Sequence, residues 1–242
     1  MRDLDWDGSR NIRDLGGLPT PLSPTGATIE GRVARGPRRE LLTDAGWTAA
    51  RSWGLRSVVD LRNEGEIGRR ETDPVVESLD SLWIVHAPTE DQSHPEFQAV
   101  CMPILDSPEY WQHNLRILPG QVRGALVAIA SAKPGILMHC SAGRDRTGMM
   151  SALLLANAGV SADEILSDYS TSVRAMAGTA LHGAPTNDRQ ASWTPTQVDA
   201  WLAEVEPYVR EFVADIDDTL DRLAVDVPTR RVLRGLLAES QD

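Results

Sequence analysis

Cys140 stands at the start of a segment whose residue types could bind and attack a phosphate group. The segment reads His-Cys-Ser-Ala-Gly-Arg-Asp-Arg-Thr-Gly over residues 139–148. The small residues Ser141, Ala142 and Gly143 allow the backbone to curl so that successive N–H groups converge on an anion. The same donors favour the thiolate of Cys140 over the thiol. A thiolate that faces phosphorus is what covalent phosphoryl transfer requires.

Arg146 supplies the positive charge that such a loop needs. It follows Cys140 by six positions, so its side chain can return to the mouth of the loop, where the planar guanidinium can hold two phosphate oxygens. The apolar run 136–138 predicts a buried strand before the loop, and 147–158 predicts a buried helix after it. Ligands gather at the carboxyl ends of such strands, and a helix N-terminus attracts anions, so these elements predict an anion site.

The rest of the chain alternates between strand and helix patterns. Strands are predicted at 32–35, 57–61 and 82–85, and helices at 43–53, at 108–132 with a break at Pro119-Gly120, from 161, and from 194 to 237. Residues 178–191 are predicted to be a loop near the site. We therefore expect an α/β fold with a central, mostly parallel sheet flanked by helices and a helical C-terminal part. A single domain is predicted over 1–242, with a core at 11–175 and a helical extension at 176–242 packed on it.

Composition excludes several other classes of protein. With 242 residues, 41% of them hydrophobic and 24% charged, the chain is typical of a soluble globular protein. Its net charge of −11 disfavours nucleic-acid binding and stable association with an anionic membrane. Two cysteines are too few for a disulfide framework, and neither a CxxC pair nor an HExxH stretch occurs, so no metal or cofactor is predicted. The N-terminus lacks a signal-like apolar stretch; the expected location is cytoplasmic, with signal-less export left open.

The pattern His-Cys-x5-Arg-Thr-Gly, with a glycine inside it, is the signature of the protein tyrosine phosphatase superfamily. It fixes six residue types, and at roughly 5% usage for each a chance match is rarer than about one in a million windows. The loop resembles that of the bacterial PtpB-like atypical dual-specificity tyrosine phosphatases, H-C-x-x-G-K-D-R-T-G. Three further stretches resemble motifs of that family: N-I-R-D-L-G-G at 11–17, G-R-V-A-R-G at 31–36 and V-V-D-L-R at 58–62. The resemblance spans residues 11 to about 175.

The resemblance implies roles for residues around the loop. His139 would order the loop through hydrogen bonds without acting as the base, and Thr147 would contact the thiolate as it leaves phosphorus, unless it is only a helix cap. Arg144 replaces the family's Lys; it keeps a cation at the pocket wall but weighs against phosphoinositide substrates. Cys101 has no such surroundings and is expected to be structural.

The general acid that protonates the leaving group has three candidates. Most tyrosine phosphatases use an Asp on a separate loop, often in Trp-Pro-Asp, which this sequence lacks. In the PtpB-like branch the loop's own Asp is implicated, which corresponds to Asp145. Asp60, at the end of a predicted strand, is the second candidate, although it could simply pair with Arg35 or Arg62. Asp106 is the third.

The predicted function is therefore a cysteine-dependent phosphatase that acts on protein phosphotyrosine, with or without dual specificity. Phosphoinositides or small phosphorylated metabolites are alternative substrates, so the expected partner is a phosphorylated protein or a small phosphomonoester. Two other classes stay open, a rhodanese-type sulfurtransferase and a non-catalytic phosphate-binding module. The sequence makes no prediction of oligomeric state.

Overall fold

The computed structural model describes residues 2–76, 82–178 and 189–238. Within them one sheet contains five strands in the spatial order β1-β2-β5-β3-β4. Four strands are parallel, and only β1 pairs antiparallel, with β2. The strands are β1 (Arg13–Asp14), β2 (Val33–Gly36), β3 (Ser57–Asp60), β4 (Trp83–His86) and β5 (Ile136–His139). The predicted α/β class with a mostly parallel sheet is confirmed.

The register of the sheet brings four strand ends to one edge. Gly36 and Asp60 both lie opposite His139, and His86 lies opposite Asp60. The central strand β5 is completely buried, as are β2 and β3 on either side of it, whereas β4 at the sheet edge is largely exposed. The loops that leave these strands therefore converge at the carboxyl edge, where α/β proteins bind ligands.

Most of the predicted helices form, because their end signals are local. Thr43 caps the first helix by accepting from the Gly46 N–H, and Gly54 ends it in the left-handed conformation with φ 107°. The predicted break before Pro119 is present. The helices are α1 (Asp44–Trp53), α2 (Pro95–Val100), α3 (Glu109–Ile117), α4 (Pro119–Ser131), α5 (Asp145–Asn157), α6 (Ala162–Met176), α7 (Pro195–Val213), α8 (Ile216–Arg222) and α9 (Val227–Leu237).

Helix α5 is the centre of the packing and begins two residues earlier than the sequence predicted. Its carbonyl-to-amide ladder already starts at Arg144, whose carbonyl accepts from the Gly148 N–H at 2.8 Å. The helix is buried nearly all round, in one hydrophobic cluster with β5 and with residues of α7 and α9. Trp111 links these layers, since its ring lies 5.2 Å from Tyr169 and 5.1 Å from Phe212, centroid to centroid. The division into a core at 11–175 and an extension at 176–242 stays a prediction.

The predicted loop at 178–191 falls mainly outside the described residues. Of its two ends, Gly178 has a left-handed φ of 72°, and Arg189–Ser192 form a short 3-10 turn. Across the three described ranges, no helix combines the length and apolar character needed to cross a bilayer.

Candidate active site

The segment 139–148 forms a tight loop between β5 and α5 at the carboxyl edge of the sheet. Cys140, at its start, is only 2% exposed. Gly143 adopts φ 70°, and a Cβ there would lie 2.4 Å from the carbonyl carbon of Gly36. Both the backbone conformation and the contact with β2 therefore require glycine at this position. The loop packs directly on the end of the neighbouring strand.

His139 is turned away from solvent and braces the loop from the sheet side. Its Nδ1 lies 3.0 Å from the carbonyl oxygen of Cys140, which can only accept, so Nδ1 carries the proton. Burial lowers the pKa of His139 to about 4, more than the nearby Asp60 raises it. The ring is therefore neutral at pH 7, and its Nε2 can accept from Arg39 at 3.3 Å. The loop-ordering role that the family resemblance implied for His139 stays a prediction.

Arg146 is held in a fork by Glu66, a residue that the motif analysis missed. The Nη1 and Nη2 atoms of Arg146 donate to the two carboxylate oxygens of Glu66, and Oε1 also accepts from the Ser141 hydroxyl at 2.7 Å. Burial raises the pKa of Glu66, but the hydrogen bonds and the positive charge of Arg146 lower it by more. The resulting pKa is about 2. Glu66 Oε2 also accepts from the Asn63 N–H at 3.0 Å, a local contact that gives no functional signal in the sequence.

Glu90 is a second carboxyl beside Arg146, and no sequence signal marked it. It lies in the segment after β4, is 4% exposed, and its Oε2 is 3.8 Å from Nε of Arg146. Burial raises the pKa of Glu90 more than Arg146 lowers it. Burial also lowers the pKa of Arg146, but Glu90 and Glu66 together raise it well above its usual value, so the guanidinium stays charged.

The carboxylates proposed as general acids lie in different surroundings. Asp145 is the first residue of α5, its side chain is 18% exposed, and both its oxygens accept from Arg144 Nε at 3.0 and 3.1 Å. Asp60 is 1% exposed and accepts from Arg62 at 2.7 Å and from Arg39 at 2.8 Å. Burial raises the pKa of Asp60, but Arg62 and His139 lower it far more. Asp60 therefore forms the ion pair with Arg62 that the sequence offered as its other explanation.

Asp106 contributes its backbone next to the loop. Its carbonyl accepts from Nε2 of Gln190 at 3.0 Å. The Oε1 atom of the same Gln190 accepts from Arg144 Nη1 at 2.6 Å. The guanidinium of Arg144 thus lies between Asp145 and Gln190, and the residue is 3% exposed.

The hydroxyl of Thr147 is completely buried, and among the described residues no hydrogen-bond partner lies within reach of it. The expected contact with the Cys140 thiolate belongs to the step in which sulfur leaves phosphorus, and it stays a prediction. Elsewhere in the chain, Cys101 is also completely buried, and burial raises the pKa of its thiol to about 11. Within the described ranges, no three His, Cys, Asp or Glu side chains are grouped so that they could hold a metal ion.

Comparison with known proteins shows the family of the chain. The sequence model of the tyrosine phosphatase family matches residues 4–224, far more of the chain than the signature loop alone. The chain belongs to the tyrosine phosphatase family. Members of this family are phosphoric monoester hydrolases. The match extends past residue 175 into the C-terminal helices, where no single motif had been recognised.

Two relatives cover most of the chain. The triple-specificity protein phosphatase PtpB of Mycobacterium tuberculosis is 30% identical over an alignment of 195 residues, and the alignment covers 70% of this chain and 68% of the relative. A candidate tyrosine-protein phosphatase of Cupriavidus necator is 30% identical over an alignment of 236 residues, and the alignment covers 86% of this chain and 83% of the relative. The resemblance to PtpB-like tyrosine phosphatases is thereby confirmed.

Proposed function

We propose that this member of the tyrosine phosphatase family hydrolyses phosphate monoesters through a covalent intermediate on Cys140. The thiolate attacks phosphorus, the bond from phosphorus to the leaving oxygen breaks, and that oxygen takes a proton from an enzyme carboxyl. Water then attacks the cysteinyl-phosphate while the enzyme carboxylate takes one of its protons, the sulfur–phosphorus bond breaks, and inorganic phosphate leaves with the thiolate and the carboxyl restored. We propose that the phosphate accepts hydrogen bonds from the backbone N–H groups of Ser141, Ala142, Gly143 and Arg144. The guanidinium of Arg146 would hold the phosphate oxygens at the loop's mouth.

One observation carries this proposal: the loop places a buried cysteine and a pre-oriented guanidinium at the N-terminus of a buried helix. Glu66 fixes the plane of the Arg146 guanidinium before substrate arrives. A donor that is already oriented costs no reorganisation when charge develops in the transition state. Helix α5 adds its positive dipole end at the same point.

We propose Asp145 as the general acid, because it lies in the loop itself and its side chain is partly open to solvent. Glu90 is the rival carboxyl, because burial favours its protonated form. The dependence of rate on leaving group separates them. Loss of the acid should slow phenyl phosphate much more than p-nitrophenyl phosphate, whose leaving group needs little protonation. Asp145→Asn should show this pattern, and Glu90→Gln should not; the reverse result would transfer the role to Glu90.

The proposed substrate is protein phosphotyrosine, with phosphoserine and phosphothreonine as secondary substrates. Membership of the tyrosine phosphatase family and the similarity to PtpB, a triple-specificity protein phosphatase, support phosphoprotein substrates. Arg144 is engaged by Asp145 and Gln190, so no unpaired basic side chain in the loop favours an inositol phosphate head group. Parallel kinetics on phosphopeptides, phosphoinositides and small phosphorylated metabolites would rank these substrates by kcat/KM.

The decisive experiment is metal-independent hydrolysis of p-nitrophenyl phosphate in the presence of a chelator. We expect turnover by the unmodified protein, inhibition by vanadate, and activity below detection in Cys140→Ser. Rapid quenching should trap phosphate on Cys140, identified by mass spectrometry. Full activity of Cys140→Ser would refute the covalent route.

The same preparation tests the two other classes. Sulfur transfer from thiosulfate to cyanide would indicate a rhodanese-type enzyme. Phosphate binding without turnover would indicate a binding module.

A further inference from the structure

Two side chains hold the phosphate-binding loop by its carbonyl oxygens. Asn11 Nδ2 donates to the carbonyl of Ala142 at 3.1 Å and to that of Gly143 at 3.2 Å. Arg35 Nη2 donates to the carbonyl of Gly143 at 2.5 Å. In a trans peptide the C=O of one residue and the N–H of the next point in opposite directions. Holding these two carbonyls on the Asn11 side therefore turns the N–H groups of Gly143 and Arg144 to the other side.

Asn11 and Arg35 are themselves fixed by a buried cluster around Asp168. Arg13 donates to Asn11 Oδ1 at 2.7 Å and to Asp168 Oδ1 at 2.8 Å, and Arg35 donates to Asp168 Oδ2 at 2.5 Å. Arg35 is completely buried, and Arg13 and Asp168 are each 2% exposed. Asn11 has a φ of 61°, a left-handed conformation that non-glycine residues rarely adopt. The hydrogen bonds on both sides of the Asn11 amide account for the retention of this conformation.

The cluster also carries excess positive charge behind the loop. Three guanidiniums, those of Arg2, Arg13 and Arg35, share the single carboxylate of Asp168, so the formal charge of the four groups is +2. Burial and Arg13 lower the pKa of Arg35 to about 10, while the charges of Asp168 and Cys140 act in the opposite direction. Arg35 is therefore still a cation at pH 7, and its charge interacts with the nucleophile. A local excess of this sign offsets the overall charge of −11 at the point where an anion must bind.

We propose that Asn11 and Arg35 are positioning residues that hold the carbonyls of Ala142 and Gly143 so that the next two amides face the phosphate. Neither side chain needs to touch the substrate. The inference rests on the proposed function of the loop and goes beyond it, because it assigns a task to the N-terminal segment and to α6. It links the N-I-R-D-L-G-G and G-R-V-A-R-G stretches physically to the loop.

Two substitutions of Asn11 test the proposal. Asn11→Asp keeps the oxygen that accepts from Arg13 but replaces the donor with a second oxygen, which repels both loop carbonyls. Asn11→Gly removes the side chain and fits the left-handed backbone without strain. Ala224 offers a matched control, since it is also a left-handed non-glycine residue, with φ 52°, in the segment between α8 and α9. Ala224→Gly changes the backbone strain in the same way, away from the loop.

The measurements are the vanadate dissociation constant, by calorimetry at 15 °C, and kcat/KM for p-nitrophenyl phosphate. Both Asn11 variants should bind vanadate about 10- to 100-fold more weakly. This range corresponds to the loss or misdirection of hydrogen bonds from the loop N–H groups to the charged vanadate. Ala224→Gly should bind vanadate as the unmodified protein does. The unfolding midpoint of Asn11→Gly should stay within about 4 °C of the unmodified protein, because relief of the left-handed conformation offsets part of the lost bonding.

Unchanged vanadate affinity in either folded Asn11 variant would overturn the proposal, as would an equal loss in Ala224→Gly. If one Asn11 variant fails to fold, the other decides. Failure of the proposed function has a different signature, because the unmodified protein would then neither bind vanadate nor turn over an aryl phosphate.

Discussion

Replacement of Asp168 by Asn measures how much the buried arginine cluster contributes to the fold. Asp168 accepts from three arginines at 2.5–2.8 Å, two of which are essentially inaccessible to water. Burial raises the pKa of Asp168, but Arg13 and Arg35 lower it much more, so the group is ionised throughout the neutral range. Its contribution is complete above the unfolded value of 3.8 and is lost only as the pH falls toward the lower folded value.

The expected cost of Asp168→Asn is about 3–5 kcal/mol, because the change leaves buried guanidiniums without a counter-charge. The chain contains an exposed Arg–Asp pair that serves as a control. Arg174 and Asp199 are also 2.5 Å apart, but their side chains are 52% and 60% exposed. Asp199→Asn should cost no more than about 1 kcal/mol, because solvent screens an exposed pair. The difference between the two variants measures the combined effect of burial and of the two additional arginines around Asp168.

Urea denaturation followed by tryptophan fluorescence gives both values. With an unfolding slope of about 2.5 kcal/mol per molar urea, the midpoint of Asp168→Asn should fall by about 1–2 M, and that of Asp199→Asn by less than about 0.4 M. The cost should be the same at pH 5.5 and pH 7.5. A loss in Asp168→Asn within about 1 kcal/mol of that in Asp199→Asn would refute the assignment of the cluster as a major stabilising element.

Three further predictions concern the site and the second cysteine. Glu90→Gln should be as stable as the unmodified protein near pH 4.5 and more stable at pH 8. The reason is that a carboxyl group whose pKa is raised by folding stabilises the folded state only at a pH below its pKa in the folded protein. A difference in denaturation midpoint that does not change with pH would contradict this prediction. Native Cys101 should resist iodoacetamide at pH 7.5, because burial raises its pKa to about 11; mass spectrometry showing rapid alkylation would exclude that environment. Gly143→Ala should lower kcat/KM for an aryl phosphate at least 100-fold, since a methyl group there meets the Gly36 backbone and the φ is left-handed; activity near that of the unmodified protein would show that the loop can shift.

The sequence predicted those parts of the site that are coded locally. The proposed nucleophile, the guanidinium proposed as the phosphate clamp and the glycine stand within a single stretch of ten residues, 139–148, so their spacing alone indicated the loop. The helix ends at Thr43 and Gly54 were predictable for the same reason, because each cap contacts residues within one turn.

The missed features depend on contacts between distant parts of the chain. Glu66 lies 80 positions from Arg146, and Asn11 lies 131 positions from Ala142. Nothing in the sequence near Glu90 distinguishes it from a surface carboxyl; only the fold buries it. Arg144 was expected at the pocket wall, and its contact with Gln190, 46 positions away, could not be foreseen. Long-range pairing of polar groups has no periodicity that a single sequence displays.

The dependence of the loop on Asp168 has a consequence for how the protein is made. Arg13 and Arg35 can form their ion pairs only after Asp168 has been synthesised, and Asp168 lies 155 and 133 positions further along the chain. During synthesis the N-terminal segment leaves the ribosome first, and contacts of such separation close slowly. A nascent chain that has emerged from the ribosome only as far as the end of α5 would contain the complete motif at 139–148. It would lack Asp168, the carboxylate that pairs with Arg13 and Arg35. The loop at 139–148 should therefore acquire its shape late, when α6 docks, and premature release should yield a chain that carries the motif but lacks the proposed activity.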